Sequence, residues 1–211
     1  MHPNPVYRTE TDTQNIAFAR EQGFGVLAVS SPDGAPLISH IPFLLSDDAT
    51  VAEFHLVRSN PIVRLLKSGV AARLAVQGPH SYISPDWYGV QDQVPTWNYV
   101  AVHLVGNAAL EPQETLHDLL DRQSAVFEDR LLPKTPWKTA KMTPGVMGRM
   151  MRQIVPCRMQ VTDIHGTWKL NQNKADAVRH RASDHVDAFG MGVETRVLAA
   201  LMHGAKPDDK G

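Results

Sequence analysis

The chain has 211 residues, 43% of them hydrophobic, and its 21 Lys and Arg residues nearly balance its 22 Asp and Glu residues, giving a formal net charge of −1. This length suffices for one sizeable core with at most a modest second lobe, and the near-neutral charge excludes a whole-molecule field that attracts polyanions. The single cysteine, Cys157, excludes an intramolecular disulfide and a multi-thiolate metal site, and we interpret it as a small buried hydrophobic residue.

The first predicted elements are a short helix and a β-hairpin. Thr11 or Asp12 can cap the helix, and Gly23 is placed to end it. Two apolar runs then flank the sequence Ser-Pro-Asp-Gly at residues 31–34. Because proline presets φ and glycine accepts a positive φ, this sequence predicts a turn between two paired strands.

A second turn and a strand lead into the next predicted helix. The turn covers residues 46–48, and the strand covers residues 51–57. The helix that follows has Ser59 or Asn60 as its cap and Gly69 after its end. Its free amide groups therefore face whatever ligand lies above Ser59.

The middle of the chain predicts three further strands. One covers residues 70–77, is broken by Gly78-Pro79, and is followed by an extended segment at 81–84. Residues 96–111 alternate well enough to form one long strand. The residues expected on one face of it are Trp97, Tyr99, Ala101, His103 and Val105.

In the last third of the chain, apolar residues first recur at the spacing of a helix and then at the spacing of a strand. Helices are predicted over 112–131, from about Pro144, and over about 193–202. Residues 155–170 predict two strands around a turn at His165-Gly166.

Short turns without regular βαβ alternation favour a mainly β protein, an antiparallel barrel with peripheral helices, over a doubly wound sheet. A domain over 1–180 is expected, followed at 181–211 by a C-terminal helix and a frayed polar tail.

Polar and aromatic residues interrupt the otherwise apolar strands, and buried polar groups need partners. Such a cluster indicates either an internal hydrogen-bond network or a bound polar ligand. Residues 55–61 join a strand directly to a helix start and form a plausible phosphate cradle, although a simple helix cap explains them as well. The interrupting residues are His40, His55, Arg58, Asn60, His80, Tyr82, Trp97, Asn98 and His103.

Four sequence blocks resemble the PaiB family of FMN-binding proteins, in the order and at the spacing of that family. The blocks are FHLVRSNP (54–61), QGPHSYISPDWY (77–88), VPTWNYVAVHLVG (94–106) and GTWKLNQNK (166–174). The resemblance covers roughly residues 4–180. It implies an FMN-binding split barrel of the pyridoxamine-phosphate-oxidase type that dimerises with the flavin at the subunit interface, and a role as a negative transcriptional regulator.

The resemblance also implies a set of cofactor-binding residues. Ser59 and Asn60 would hold the phosphate at the strand–helix junction, with Arg58 beside them. The remaining residues implied are His40, Ile41 and Pro42 on the preceding strand, His55, His80, Tyr82, Ser84, Trp97 and Asn98, with Lys169 and Gln172 closing the site. The sequence departs from the family pattern at Asn171, where members usually have serine.

Three alternatives remain open. The chain could be a flavin-dependent oxidoreductase acting on a small molecule, with His80 or Tyr82 as the proton donor, or a haem-handling split-barrel protein. DNA binding would rest on the stretch from Arg130 to Arg158, which has seven basic residues and no acidic one.

The ten histidines are scattered and show no metal-ligand spacing, so no metal site is expected. Neither a presequence nor a long apolar run is visible, so we expect a cytoplasmic protein without a membrane partner.

Overall fold

The computed structural model describes residues 2–31 and 34–206. Its strands are β1 (Phe24–Val29), β2 (Leu37–Pro42), β3 (Leu44–Leu45), β4 (Val51–Val57), β5 (Val70–Ile83), β6 (Thr96–Leu110), β7 (Ile154–Lys169) and β8 (Gly192–Val193). Its α-helices are α1 (Asp12–Gln22), α2 (Ile62–Leu66), α3 (Leu116–Asp129), α4 (Val146–Met151), α5 (Asp176–Phe189) and α6 (Thr195–Gly204). The predicted class, mainly β with additional helices, is confirmed.

The strands form a sheet in the order β2-β1-β5-β6-β7-β4-β3, and β8 pairs with β5 outside this path. The predicted hairpin is confirmed, because β1 and β2 pair antiparallel from Phe24 opposite Pro42 to Val29 opposite Leu37. Residues 32 and 33 of its predicted turn lie outside the described residues. The long strand predicted over 96–111 is confirmed as β6, with alternating buried and more exposed residues.

The helix α1 starts with the predicted cap. The Thr11 hydroxyl accepts a hydrogen bond from the Gln14 amide at 3.2 Å, and the Gln14 side chain accepts one from the Thr11 amide at 3.1 Å. Each side chain thereby satisfies an amide that the first helical turn leaves without a partner. Gly23 follows the helix with a φ of 59°, which glycine adopts without steric cost.

The predicted break at Gly78-Pro79 is wrong, because β5 runs without interruption through both residues. Gly78 is required by a close contact: a Cβ atom there would lie 2.5 Å from the ring of Phe18. Pro79 is tolerated because it lies between the residues of β5 that pair with β1, which end at Ala75, and those that pair with β8, which begin at His80.

The predicted turn at His165-Gly166 is also wrong, because β7 continues from Ile154 to Lys169. Gly166 again marks a close approach, since a Cβ atom there would lie 2.0 Å from the side-chain oxygen of Asn15. That oxygen accepts a hydrogen bond from the Trp168 indole at 2.9 Å, which fastens α1 to this end of β7. Both errors have one cause, because glycine signals close packing as well as turns.

The chain divides into two compact units, each with its own buried residues. Unit 1 consists of residues 1–18, 76–103 and 164–211, and unit 2 consists of residues 19–75 and 104–163, as far as these ranges are described. The core of unit 1 includes Tyr7, Phe18, Ile83, Tyr88, Val100, Val186 and Met202. The core of unit 2 includes Leu27, Phe54, Leu74, Leu104, Leu116, Cys157 and Met159.

Two helices at the end of unit 1 form a packed pair, α5 and α6. The sequence predicted α6 but not α5. The Ser183 hydroxyl donates to the Ala199 carbonyl at 2.6 Å, and the buried Arg179 guanidinium donates to the Met202 carbonyl at 2.8 Å. α5 therefore covers one side of α6 and satisfies carbonyls near its C-terminal end.

Candidate functional site

The strand–helix junction of unit 2 is organised by Asn60. Its side-chain oxygen accepts a hydrogen bond from the Ile62 amide at 3.0 Å, and its side-chain nitrogen donates to the Ser39 hydroxyl at 3.2 Å. Asn60 thus caps the first turn of α2 and ties the junction to β2. Ser59 is exposed beside it. α2 itself has only five residues, so its dipole is small.

Arg58 holds the chain at the start of β7. Its guanidinium donates to the Arg152 carbonyl at 2.9 Å, to the Gln113 side chain at 2.8 Å and to the Ile154 carbonyl at 3.2 Å. None of these acceptors is a carboxylate, so the positive charge of Arg58 is not neutralised by them. The exposed side chain therefore holds the start of β7 in place and still carries its positive charge.

The three consecutive β2 residues that were predicted as cofactor-binding face different surroundings. His40 is exposed and stacks on the Phe24 ring at 6.4 Å, whereas Ile41 is buried in the core. Pro42 lines a cavity of about 260 Å³ together with Phe127 and Trp137. Alternation along the strand separates these side chains, since neighbouring residues point to opposite faces.

His55 lies on β4, half-buried, beside helix α3. Burial lowers the pKa of its imidazole, and the side chain of Gln123 on α3 acts in the opposite direction. Two strand residues away, Glu53 forms a bidentate pair with Arg122 at 2.8 and 2.9 Å. The helix therefore meets this face of β4 through polar side chains.

Three of the predicted residues come together in unit 1, where they form what we call the aromatic face: His80 and Tyr82 on β5, and Trp97 on β6. The Trp97 ring lies 5.5 Å from the His80 ring and 6.4 Å from the Tyr82 ring. Trp97 is 43% exposed. Large exposed aromatic surface in a β-sheet is typical of a place where another molecule binds.

Asn98 lies on the other side of β6 from Trp97. It is fully buried, and neither atom of its side-chain amide has a hydrogen-bond partner among the described residues. An unpaired buried amide costs about 1–3 kcal/mol, so a partner such as an internal water is expected there. Ser84 is half-buried at the end of β5, directly before the 3₁₀ helix Pro85–Tyr88.

Lys169, at the end of β7, is a half-buried cation. Its ammonium donates to the Thr96 hydroxyl and lies 5.8 Å from the centre of the Tyr7 ring. Burial lowers the pKa of Lys169. No carboxylate lies within ion-pair distance of it in the described part of the chain. The charge is therefore available to an anionic ligand group.

Gln172 shapes the loop that follows β7. Its side-chain oxygen accepts from the Leu170 amide at 2.8 Å, and its side-chain nitrogen donates to the Trp168 carbonyl at 2.5 Å. Sequence reasoning missed Tyr7 and Thr96, which contact Lys169. Only the position of Thr96 directly before Trp97 could have indicated this role.

Cys157 is buried, as interpreted from the sequence, and burial raises the pKa of its thiol to about 12. Such a thiol stays protonated at neutral pH and is a poor nucleophile or metal ligand. No helix in the described part of the chain combines the length and apolar character needed to cross a bilayer.

Comparison with known proteins identifies the family. The sequence profile of a family described as "Putative FMN-binding domain" matches residues 1–163. The chain belongs to this FMN-binding family. It is also 32% identical over 173 residues to the Protease synthase and sporulation protein PAI 2 of Bacillus subtilis, which covers 81% of this chain and 82% of that protein. The PaiB resemblance and FMN as the cofactor are thereby confirmed.

Solved structures show the same fold at low sequence identity. An FAD- and haem-binding protein from Mycobacterium smegmatis superposes with a TM-score of 0.57 at 12% identity, over 88% of this chain and 82% of that one. The flavocytochrome Anf3 from Azotobacter vinelandii gives a TM-score of 0.56 at 12% identity, over all of this chain and 88% of that one. The fold of this FMN-binding family member is the predicted split barrel.

Proposed function

We propose that the chain is a dimeric FMN-binding protein of the PaiB type that acts as a negative transcriptional regulator and holds its flavin against the aromatic face of unit 1. The proposed position of the flavin rests on the cluster of His80, Tyr82 and Trp97, with 43% of Trp97 exposed. The proposed regulatory role rests on the resemblance to the PaiB family alone. FMN supplies reversible one- and two-electron transfer when it is bound.

The residues present fit this cofactor. Aromatic rings offer the flat apolar surface that an isoalloxazine ring requires, and the unpaired charge of Lys169 would suit the negative charge that the isoalloxazine ring gains on reduction. Asn98 and Gln172 are buried, so their proposed role is to support the neighbouring site residues from beneath. Ser84 supports the end of β5 in the same way.

Unit 2, taken by itself, has its own proposed phosphate-binding group, the junction formed by Ser59 and Asn60, with the charge of Arg58 nearby. The Asn60 side chain already contacts Ser39 on β2, so the junction and β2 are held together before any ligand arrives. His40, Ile41 and Pro42 on β2, and His55 on β4, are the other proposed contributors. Preorganised groups of this kind reduce the ordering cost of binding.

The proposed partner is a second copy of the chain. Trp97 is joined on the surface of unit 1 by exposed Met191 and Val193, and Val193 pairs with His80 across β8 and β5. Exposed apolar side chains next to one another favour burial against another protein surface. Light scattering is expected to give about twice the chain mass of 23.3 kDa.

The test is a titration with FMN followed by quenching of flavin fluorescence. Trp97→Ala and Lys169→Met should each raise the Kd about tenfold, because each removes a contact worth about 1–2 kcal/mol. Asn60→Asp should also weaken binding, since it sets a carboxylate beside the phosphate. Phe189→Ala, which removes another exposed aromatic ring of unit 1, is the matched control and should keep the wild-type Kd. Unchanged affinity in folded Trp97→Ala and Lys169→Met would contradict the proposed site.

A flavin-dependent oxidoreductase is the second candidate, favoured by the partial exposure of His80 and Tyr82 next to Trp97. Either side chain could donate a proton to a small acceptor bound at this face. Turnover of a reduced nicotinamide cofactor by the FMN-loaded protein, lost in Tyr82→Phe or His80→Gln, would favour this candidate over a regulator.

A further inference from the structure

Unit 2 contains a stretch of strongly one-sided charge, which we call the basic segment, residues 130–153. It connects α3 to β7 and includes the 3₁₀ helix Thr139–Lys141 and α4. It has six Lys or Arg residues and no Asp or Glu residue, although the whole chain carries a net charge of only −1. The basic segment therefore has a local excess of positive charge that the net charge of the whole chain does not reveal.

The positive charge of the basic segment is largely unneutralised. Lys134 pairs with the Glu128 carboxylate, but the contacts of three other cations are to backbone carbonyls. These contacts are Arg130 with Arg20 and Glu21, Lys141 with Pro136, and Arg152 with Gly148. For the side chains of Lys138 and Arg149, no hydrogen bond or ion pair is found among the described residues. Carbonyl contacts orient a cation without removing its charge.

Large apolar side chains are exposed among these cations. Leu132 is 62% exposed and Met150 is 55% exposed, and Leu131 and Trp137 are also exposed. Leucine, tryptophan and methionine next to lysine and arginine form the residue combination of segments that lie in the interface of a lipid bilayer. The apolar groups enter the acyl boundary, and the cations meet anionic headgroups.

We propose that the basic segment is a docking surface for an anionic phospholipid bilayer, to which the protein binds peripherally. A second copy of the chain is disfavoured as the occupant, because a two-fold contact would place the unneutralised cations of both copies together. A DNA duplex would use the cations but would leave exposed Leu132 and Met150 without a favourable environment. An anionic bilayer satisfies both the charge and the apolar groups. This proposal does not depend on where FMN binds.

The experiment is co-flotation of the full chain with vesicles of phosphatidylcholine, with and without about one-third phosphatidylglycerol, at low and high salt. Binding is expected only with phosphatidylglycerol and should weaken as salt rises, because screening shortens the reach of the charges. Fluorescence from Trp137 should shift to shorter wavelength on binding, and Trp137→Phe should abolish that part of the shift while the protein still floats.

Two double variants separate the charge from the apolar contribution. Lys138→Glu with Arg149→Glu should weaken vesicle binding about 30-fold or more, since each basic residue near an anionic surface contributes roughly fivefold. The control with the same change in net charge is Arg196→Glu with Lys206→Glu, two exposed residues of unit 1. Leu132→Ser with Met150→Ser should also weaken binding, whereas Val94→Ser with Val197→Ser, which are similarly exposed, should not.

Several outcomes would overturn the proposal. Equal flotation with neutral and anionic vesicles, or equal loss in the variants and their controls, would show that the basic segment does not recognise anionic lipid. Absence of flotation together with retention on duplex DNA would assign the segment to nucleic acid. A change in molar mass of the Leu132→Ser, Met150→Ser variant by light scattering would assign it to a second copy. FMN affinity, measured in parallel, should stay the same in all these variants.

Discussion

Asn171 has a left-handed backbone conformation that suits asparagine. Its φ of 64° lies in the left-handed region, which asparagine adopts more readily than most other residues. Its side-chain oxygen accepts a hydrogen bond from the buried Tyr88 hydroxyl at 3.4 Å. Asparagine at this position, where the sequence resemblance implied serine, therefore suits the conformation of the loop after β7.

Asn171→Ala should lower the free energy of unfolding by about 2 kcal/mol, because alanine pays roughly 1 kcal/mol for the left-handed backbone and leaves the Tyr88 hydroxyl without its acceptor. Asn171→Gly loses only the hydrogen bond and should be destabilised less. Urea denaturation of the FMN-free protein measures both. If the alanine variant were as stable as the glycine variant, the backbone argument would be wrong.

At the scale of elements, glycines inside β5 and β7 allow other elements to approach the strands. Gly78 lies against Phe18 of α1, and Gly166 lies against Asn15 of the same helix. Together with the hydrogen bond from Trp168 to Asn15, these contacts hold α1 against β5 and β7. A tight contact of this kind cannot accept a methyl group without moving the helix.

Gly166→Ala should destabilise the protein by about 2 kcal/mol or more, because the new methyl group would overlap the Asn15 amide at 2.0 Å. Gly148→Ala is the matched control, since nothing lies within 4 Å of a Cβ atom there and Gly148 is in α4. The control should be neutral or slightly stabilising, as expected for glycine to alanine in a helix. Equal melting temperatures of both variants would contradict the close approach.

At the scale of the whole molecule, net charge and exposed apolar side chains limit how the chain can meet DNA. The net charge is −1, so the field of the whole molecule does not attract a polyanion. Exposed Leu132 and Met150 lie among the basic residues from Arg130 to Arg158, and a DNA duplex would leave both in water. If the chain acts as the proposed regulator, its direct contact with DNA is therefore expected to be weak.

The measurement is an anisotropy titration of labelled promoter DNA and of scrambled DNA, with and without FMN, at two salt concentrations. Binding should be weak, equal for the two sequences, and strongly reduced between about 50 and 200 mM salt, because it depends on counterion release. Tight, sequence-selective binding that survives the higher salt would instead establish a direct repressor and would contradict this view.

The sequence by itself determined the local elements and the family. A cap at Thr11 or Asp12 predicts the start of α1, the turn sequence at 31–34 predicts the hairpin, and the alternation over residues 96–111 predicts β6. These signals are local, because a cap, a turn or a strand face depends on residues a few positions apart. The four sequence blocks likewise indicate the FMN-binding family, and the family match confirms this.

Tertiary structure decided the features that depend on residues distant in sequence. Whether Gly78 and Gly166 end a strand or admit a helix depends on Phe18 and Asn15, which nothing near those glycines in the sequence indicates. Likewise, the contacts that hold Arg58 to β7 and Lys169 to Thr96 join segments about 70 or more residues apart. A side chain's role follows from such packing, because the free energy of a contact depends on which groups share the space and on how far water is excluded.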